Sequence, residues 1–383
     1  MTAFRAPAGF SSDRPTSDGP LWIRIDASII LLAAALTAIG TVVVYSATRG
    51  VVTEESVANT SVLEKQLVFV GVGGFLAMVV SAIDYRQVRP FIPVMYAASM
   101  VSLLGLFIFG TNLNTFATSW YSFGFITIQP SEFAKLALIM ALASWYGSVQ
   151  SRDGLQLVNV MIGLAMAGAF AALVLLQPDF GTVMVYAAIV AGIVVVAGVA
   201  MRHVLLVLSM VVAAIGLIIQ RGVLLETQIN RFISFSDQTS DFRYNVNQSE
   251  IAIGNGGISG KGLFQGTQNN NSLVPEKESD FIFSVLGEEF GFIGGAVLLT
   301  LFALLLLRIW RVAHLAEDEY GRLICVGVFS MFLFQAFQSI GMNMGMMPVT
   351  GIPLPLISAG GSSMITSLLA LGLVENVHAH RLR

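Results

Sequence analysis

Residues 27–47 read ASIILLAAALTAIGTVVVYSA, with Asp26 just before them and Arg49 shortly after. The run carries no charge, and as a helix rising 1.5 Å per residue it is long enough to cross a hydrocarbon layer about 30 Å thick. Outward from it the same pattern recurs. Apolar runs at 66–83, 90–109, 131–148, 156–176, 179–200, 203–220, 281–307, 322–345 and 354–374 are separated by short polar or charged breaks. Of the 383 residues, 55% are hydrophobic and 11% charged, and the mean hydropathy is +0.78. Those values lie outside the range of water-soluble globular chains. The pattern predicts an all-α polytopic membrane protein with about ten transmembrane helices.

Orientation follows from lysine and arginine in the short loops. With both termini inside, the cytoplasmic segments hold Arg24, Arg86, Arg89, Arg152, Arg202, Arg308, Arg311, Arg322 and Arg381, whereas the short outer loops hold only Arg49 and Lys65. This asymmetry supports an even helix count. The organisation it predicts is a single membrane domain: a polar cytoplasmic tail over 1–24, helices one to seven over 25–221, a large extracytoplasmic loop over 222–280, helices eight to ten over 281–375, and a short tail over 376–383. The one cysteine, Cys325, falls inside an apolar run, so no intrachain disulfide can form. The net charge of −3 and the lack of a basic tract argue against a nucleic-acid partner. His378 and His380 read as a solvated end, with no metal site.

The segment between the seventh and eighth runs is polar, nearly sixty residues long, and not of low complexity. Loops of that length are functional or disordered, and the alternation of Ile251-Ala252-Ile253 with the glycine-rich run 254–262 suggests a folded or re-entrant cap. The glycine run fails the Walker pattern twice, at Asn255 and at Gly262. Its amides could still receive a pyrophosphate, and tight turns explain the composition equally well.

Charge inside the apolar runs is the second signal, because a carboxylate or ammonium there is costly unless paired or hydrated. Glu132 and Lys135 stand three apart in a helix opened by Gln129-Pro130-Ser131, so they share a face and can neutralise each other. An ion pair that only fixes helix packing is the plain alternative. Asp179 follows Pro178 in a similar setting. Glu276, Lys277, Glu278 and Asp280 cluster just before the eighth run, which pins Asp280 at the membrane surface, where a carboxylate could act as a base. Glu288 and Glu289 lie about two turns further in and demand cations, hydrogen bonds or a raised pKa.

Several of these motifs occur in a familiar order: Gln129-Pro130-Ser131-Glu132-Phe133-Ala134-Lys135, Asn247-Gln248-Ser249, Gly256-Gly257 through Gly260-Lys261-Gly262, and Val274-Pro275-Glu276 to Asp280-Phe281-Ile282-Phe283. Gly287-Glu288-Glu289-Phe290-Gly291 and Pro348-Val349-Thr350-Gly351-Ile352-Pro353-Leu354-Pro355 to Ser363 complete the set. Over essentially its whole length after the tail the chain resembles the shape, elongation, division and sporulation (SEDS) family, and Gly266-Thr267-Gln268 with the 348–355 run is more like its elongation branch than its division branch. The resemblance implies a SEDS-fold peptidoglycan glycosyltransferase that polymerises lipid II on the outer face of the bacterial cytoplasmic membrane, among membrane lipids and beside a class B penicillin-binding protein.

By the same resemblance Asp280 matches the family's essential aspartate, here the expected base or acceptor-positioning group. The leaving polyprenyl pyrophosphate wants cations or amide donors, and Lys135, Arg231, Arg243 and Lys261 are candidates, with Glu132, Asp179 and Glu276 as further substrate contacts. A divalent cation, Mg2+ or Mn2+, could come bound to the pyrophosphate, and no nucleotide is needed. Trp120 corresponds to a sensitive tryptophan that can stack on a sugar or anchor at the interface. Departures from the family pattern are Glu278-Ser279 where His-Thr is usual, Ser358-Ala359 where Ser-Tyr is usual, and Ser119 where an Arg is common. A lipid II flippase or a noncatalytic scaffold for a penicillin-binding protein are the rival functions; the absence of a convincing internal repeat argues against a transporter.

Overall fold

The computed structural model describes residues 24–49, 59–110, 119–124, 126–149, 155–200, 202–203, 241–270, 274 and 276–381. Its helices are α1 (Ala27–Thr48), α2 (Ser61–Ala82), α3 (Ile92–Phe109), α4 (Pro130–Val149), α5 (Leu157–Leu175), α6 (Phe180–Val196), α7 (Asp241–Gly256), α8 (Ile282–Leu315), α9 (Glu319–Asn343) and α10 (Gly361–Ala379). A two-stranded hairpin, β1 (Tyr121–Phe123) and β2 (Ile126–Ile128), precedes α4. The expected apolar runs other than 203–220 each fall on one of these helices. Residues 204–220 of the run 203–220, the N-terminal tail before residue 24 and Arg231 lie outside the described residues.

Burial is inverted relative to a water-soluble bundle. α4, α9 and α10 are enclosed almost all round, while α2 and α3 turn large apolar side chains such as Phe75, Met78, Val94 and Ile108 outward. That is the arrangement lipid solvent permits, since apolar surface facing hydrocarbon costs nothing. Helices there associate through close packing. α10 lies tightly on α2, where a side chain at Gly372 would strike the backbone of Ala77. Asn376 then seals the junction, donating to the carbonyls of Val80 and Ile83 at the end of α2.

Two helices depart from the expected spans. The run 281–307 is not one straight segment: α8 breaks at Gly291, whose φ of 64° and ψ of −160° interrupt the helix. The part beyond the break is itself long enough to span, so residues 282–290 form a buried cap. The run 354–374 begins too early, because 354–360 is irregular and α10 starts only at Gly361. Pro353 and Pro355 remove backbone donors and bias their predecessors away from helix. This stretch nevertheless dips into the bundle: Leu354, Leu356, Ile357 and Ser358 are buried, and Gly40 of α1 lies against the backbone of Leu356 and Ile357. Irregular backbone at that depth is tolerated only inside protein.

The two ends of the bundle differ. At one end, Arg86 pairs with Glu317 at 2.8 Å and Asp318 at 3.3 Å, and Arg308 approaches Asp26 at 3.9 Å. At the other, the C-terminus of α1 meets the 262–266 segment, where Phe264 packs edge-on to Tyr45 and under the Arg49 guanidinium. Asp280 is at this second end.

Candidate active site

The site is built on the turn that delivers the chain into α8. Glu276, at a positive φ of 47°, turns its carbonyl to accept the amides of Ser279, Asp280 and Phe281. The Asp280 carbonyl in turn accepts the Asn343 side-chain amide at 2.9 Å. Asn343 is fully buried at the end of α9; its side-chain oxygen takes the Ser284 amide, and its backbone carbonyl takes the Ser249 hydroxyl of α7. Three elements thus fix the backbone of a half-buried aspartate, and its carboxylate lies beside Gly351. The composition of the 276–280 cluster gave no sign of Asn343. The clue available in the sequence was the polar stripe Gln335, Ser339, Asn343 at helical spacing within an apolar run.

The irregular stretch after Pro348 clamps the turn from the opposite side. The Ser358 hydroxyl donates to the Ser279 carbonyl at 2.6 Å, and the Ala359 amide donates to the Glu278 carbonyl at 2.8 Å. Two of the three departures noted in the sequence, 278–279 and 358–359, therefore touch. Burial lowers the pKa of Lys277 in this turn below the usual lysine value, against the opposing effect of Glu278.

Across the same stretch lies a second polar group. Gly181 faces the Thr350 carbonyl, and Asp179, the N-cap of α6, accepts from the Thr182 amide at 3.0 Å, the Thr182 hydroxyl at 2.7 Å and the Gln129 side chain at 3.1 Å. The Gln129 amide donates to Ser362 at the start of α10. The hairpin register carries Trp120, half-buried one residue before β1, to the level of Gln129, while the neighbouring Ser119 hydroxyl reaches the Gln177 carbonyl. Asp280 thus meets the 348–362 segment at Gly351, Gly181, two residues after Asp179, meets it at Thr350, and Gln129 meets it at Ser362. Glu132 and Lys135 lie deeper, only 3% and 1% exposed, with 2.6 Å between ammonium and carboxylate.

The glycine run is used as turns and as a splint. The Lys261 and Gly262 amides donate to the carbonyls of Glu288 and Glu289, and the Phe292 and Ile293 amides donate to the carbonyls of Gly257 and Ile258. These are the backbone groups that the break at Gly291 leaves without helical partners, so the run's amides serve the helix. Lys261 reaches the fully buried Glu288 at 3.1 Å, and the same oxygen accepts from Thr267 and the Gln268 amide. Glu289 accepts from Ser46 of α1. Glu288 is thereby supplied with a cation and hydrogen bonds, and Glu289 with a hydroxyl donor from α1. Arg243 lies 3.8 Å from Glu250 on α7, and Glu276 is exposed. Among the described residues no three His, Cys, Asp or Glu side chains cluster as a metal cage.

Residues 26–383 match the family model FTSW_RODA_SPOVE, described as cell cycle protein. A probable peptidoglycan glycosyltransferase FtsW of Geobacter metallireducens is 33% identical over 92% of this chain and 94% of its own length. The peptidoglycan glycosyltransferase RodA of Treponema pallidum is 32% identical over 93% of this chain and 98% of its own. A solved chain from a study titled as the structural coordination of polymerization and crosslinking by a peptidoglycan synthase complex superposes with a TM-score of 0.81. It is 30% identical, covering 94% of this chain and 99% of that one.

Proposed function

The chain belongs to the FtsW/RodA/SpoVE family, and from that premise we propose that it is a peptidoglycan glycosyltransferase which polymerises lipid II at the Asp280 end of the bundle. The observation that carries the assignment of the site is the clamped turn. Asn343, Ser358 and Ala359 hold the backbone of 278–280 from two sides, so the carboxylate is presented by a rigid frame, as a base must be.

In the proposed step an acceptor sugar hydroxyl forms a bond to the anomeric carbon of the donor. The carbon–oxygen bond to polyprenyl pyrophosphate breaks, the pyrophosphate leaves with the electron pair, and Asp280 takes the hydroxyl proton. Trp120 offers a face for a sugar ring beside the 348–362 segment. Arg243 and Arg231 are the candidate cations for the leaving group, and a divalent ion, Mg2+ or Mn2+, arriving with the pyrophosphate would add positive charge there. Asp179, Glu132, Lys135 and Lys261 are the frame on which those groups stand, because their polar atoms are engaged within the protein: Glu132 with Lys135, Asp179 with Thr182 and Gln129, and Lys261 with Glu288 and Thr267.

The arginine-bearing end that carries Arg86, Arg308 and Arg322 faces the cytoplasm, which puts both termini inside and Asp280 on the outer face. The residues of 348–355 and 266–268 favour the elongation branch, and the synthase-complex relative supports a class B penicillin-binding protein as partner. The test is polymerisation of labelled lipid II with and without that partner. Asp280→Asn abolishes glycan chains while the complex still forms; chains made by the variant at the wild-type rate would remove Asp280 from the chemistry. Transport of lipid II across vesicles without polymerisation by wild type would replace the transferase reading altogether.

A further inference from the structure

A groove of about 670 Å³ opens toward lipid between α1 and α2, with α10 as its floor. Its walls mix small residues, among them Ala34, Ala38 and Gly74, with larger apolar ones such as Leu67 and Leu371, and it runs along α1 from Ile25 to Val42, roughly 25 Å at 1.5 Å per residue. Volume over length gives a cross-section of roughly 27 Å², against roughly 80 Å² for a helix about 10 Å across. A hydrocarbon chain, whose carbons sit about 4 Å from their neighbours, needs roughly 16 Å². The groove is therefore long and apolar enough to take an acyl chain along α1.

Two buried polar atoms in its lining lack a partner. Thr37 lines it part-way along with its hydroxyl enclosed, and at the Ile25 end stands Glu375, 5% exposed. One oxygen of Glu375 accepts the Asp26 amide at 3.0 Å; the other has no donor. A buried carboxylate oxygen without a donor is costly, and this one sits where a head-group would lie if the tail occupied the groove. Two carboxylates, Glu375 and Asp26, meet at this end and disfavour an anionic head-group. Arg308, near Asp26, and Arg381, bonded to the His378 carbonyl, suit a phosphate. We infer that the groove is a binding site for one ethanolamine phospholipid, its acyl chain against Ala34, Ala38 and Gly74 and its primary ammonium donating to Glu375. A choline head-group has no N–H to give, and a glycerol head-group leaves the lipid with a net negative charge.

The inference does not depend on the enzymatic reading, and neither Glu375 nor Gly74 belongs to the proposed active site. The full-length protein, purified in detergent, is offered equimolar ethanolamine, choline and glycerol phospholipids with identical chains, and retained lipid is counted by native mass spectrometry. Wild type retains the ethanolamine lipid about tenfold over the other two, the scale of one charge-assisted hydrogen bond. Glu375→Gln reduces that preference to less than about twofold. Gly74→Leu, at a position where an added Cβ meets nothing within 4 Å, lowers retention of all three, and its unchanged polymerisation shows that it folds. Equal retention of the three lipids by wild type overturns the proposal, as does a preference that survives both variants. A photo-crosslinker at Ala38 that captures a polypeptide in place of lipid in native membranes also overturns it.

Discussion

Replacing Lys135 with methionine keeps most of the side-chain volume and leaves Glu132 alone in the interior of α4. At 2.6 Å and an effective dielectric of about 20, the attraction within the pair is roughly 332/(20 × 2.6), or about 6 kcal/mol. Desolvation of several kcal/mol per ion offsets most of it, so the intact pair contributes little net stability. The broken pair is different. A lone carboxylate in that position costs about 3–5 kcal/mol, which at about 2 °C per kcal/mol lowers the melting temperature by roughly 6–10 °C. Replacing both residues with methionine removes both charges and restores the melting temperature to near wild type. Tryptophan fluorescence of the detergent-purified protein follows unfolding, and lipid II polymerisation is measured on the same samples. If the pair is framework, the double variant regains both stability and activity. A Lys135→Met protein that melts within a degree or two of wild type would refute the energetics, and a stable but inactive double variant would refute the framework role and put the pair in contact with substrate.

Gly260 sits at a φ of 78° with the Glu289 carbonyl where a Cβ would go, so Gly260→Ala costs upward of about 2 kcal/mol and detaches the run from the α8 break; limited proteolysis within 256–262 should accelerate. Asn343→Leu removes the amide that holds the Asp280 carbonyl and strands the Ser284 amide. Polymerisation should fall at least about tenfold, with a loss of about 1–3 kcal/mol in stability, whereas Ser358→Ala, which removes one clamp bond, falls less. Lys277 has a pKa below its unfolded value, so between the two values the unfolded chain binds the extra proton and stability rises with pH through that alkaline window. Lys277→Met should flatten that rise in melting temperature measured across it.

Much of the fold could be read from apolar runs because one physical demand, a helix long enough to cross lipid, dominates their composition. The reading failed where a second demand intervened. The run 281–307 is apolar on both sides of Gly291, and hydropathy does not register a backbone break whose hydrogen bonds are made good by residues thirty positions earlier. Pro353 and Pro355 did signal a non-helical entry to α10, but the apolar Leu354, Leu356 and Ile357 outweighed them in a window average. In the site, Asp280 stood out by charge and by family motif. Its support did not: the helical spacing of Gln335, Ser339 and Asn343 marks a polar stripe without saying what it holds, and Asn343 and Ser358 act on the backbone of the turn. The contact between the departures at 278–279 and 358–359 was equally hidden, since each looks independent in the sequence.

The break in α8 also bears on how the chain enters the membrane. Four backbone groups near Gly291 are satisfied only by residues 257–262, and in hydrocarbon each would otherwise cost several kcal/mol. Ribosomal synthesis delivers 257–262 first, so the splint exists before the fracture it mends. In the outward orientation proposed for the Asp280 end, the segment 282–290 gains its missing partners only once 257–262 has crossed, so seating of the last three helices would follow translocation of that run. A lesion in the glycine run would therefore be felt as a defect in biogenesis, in the amount of protein reaching the membrane, before any defect in turnover could be measured.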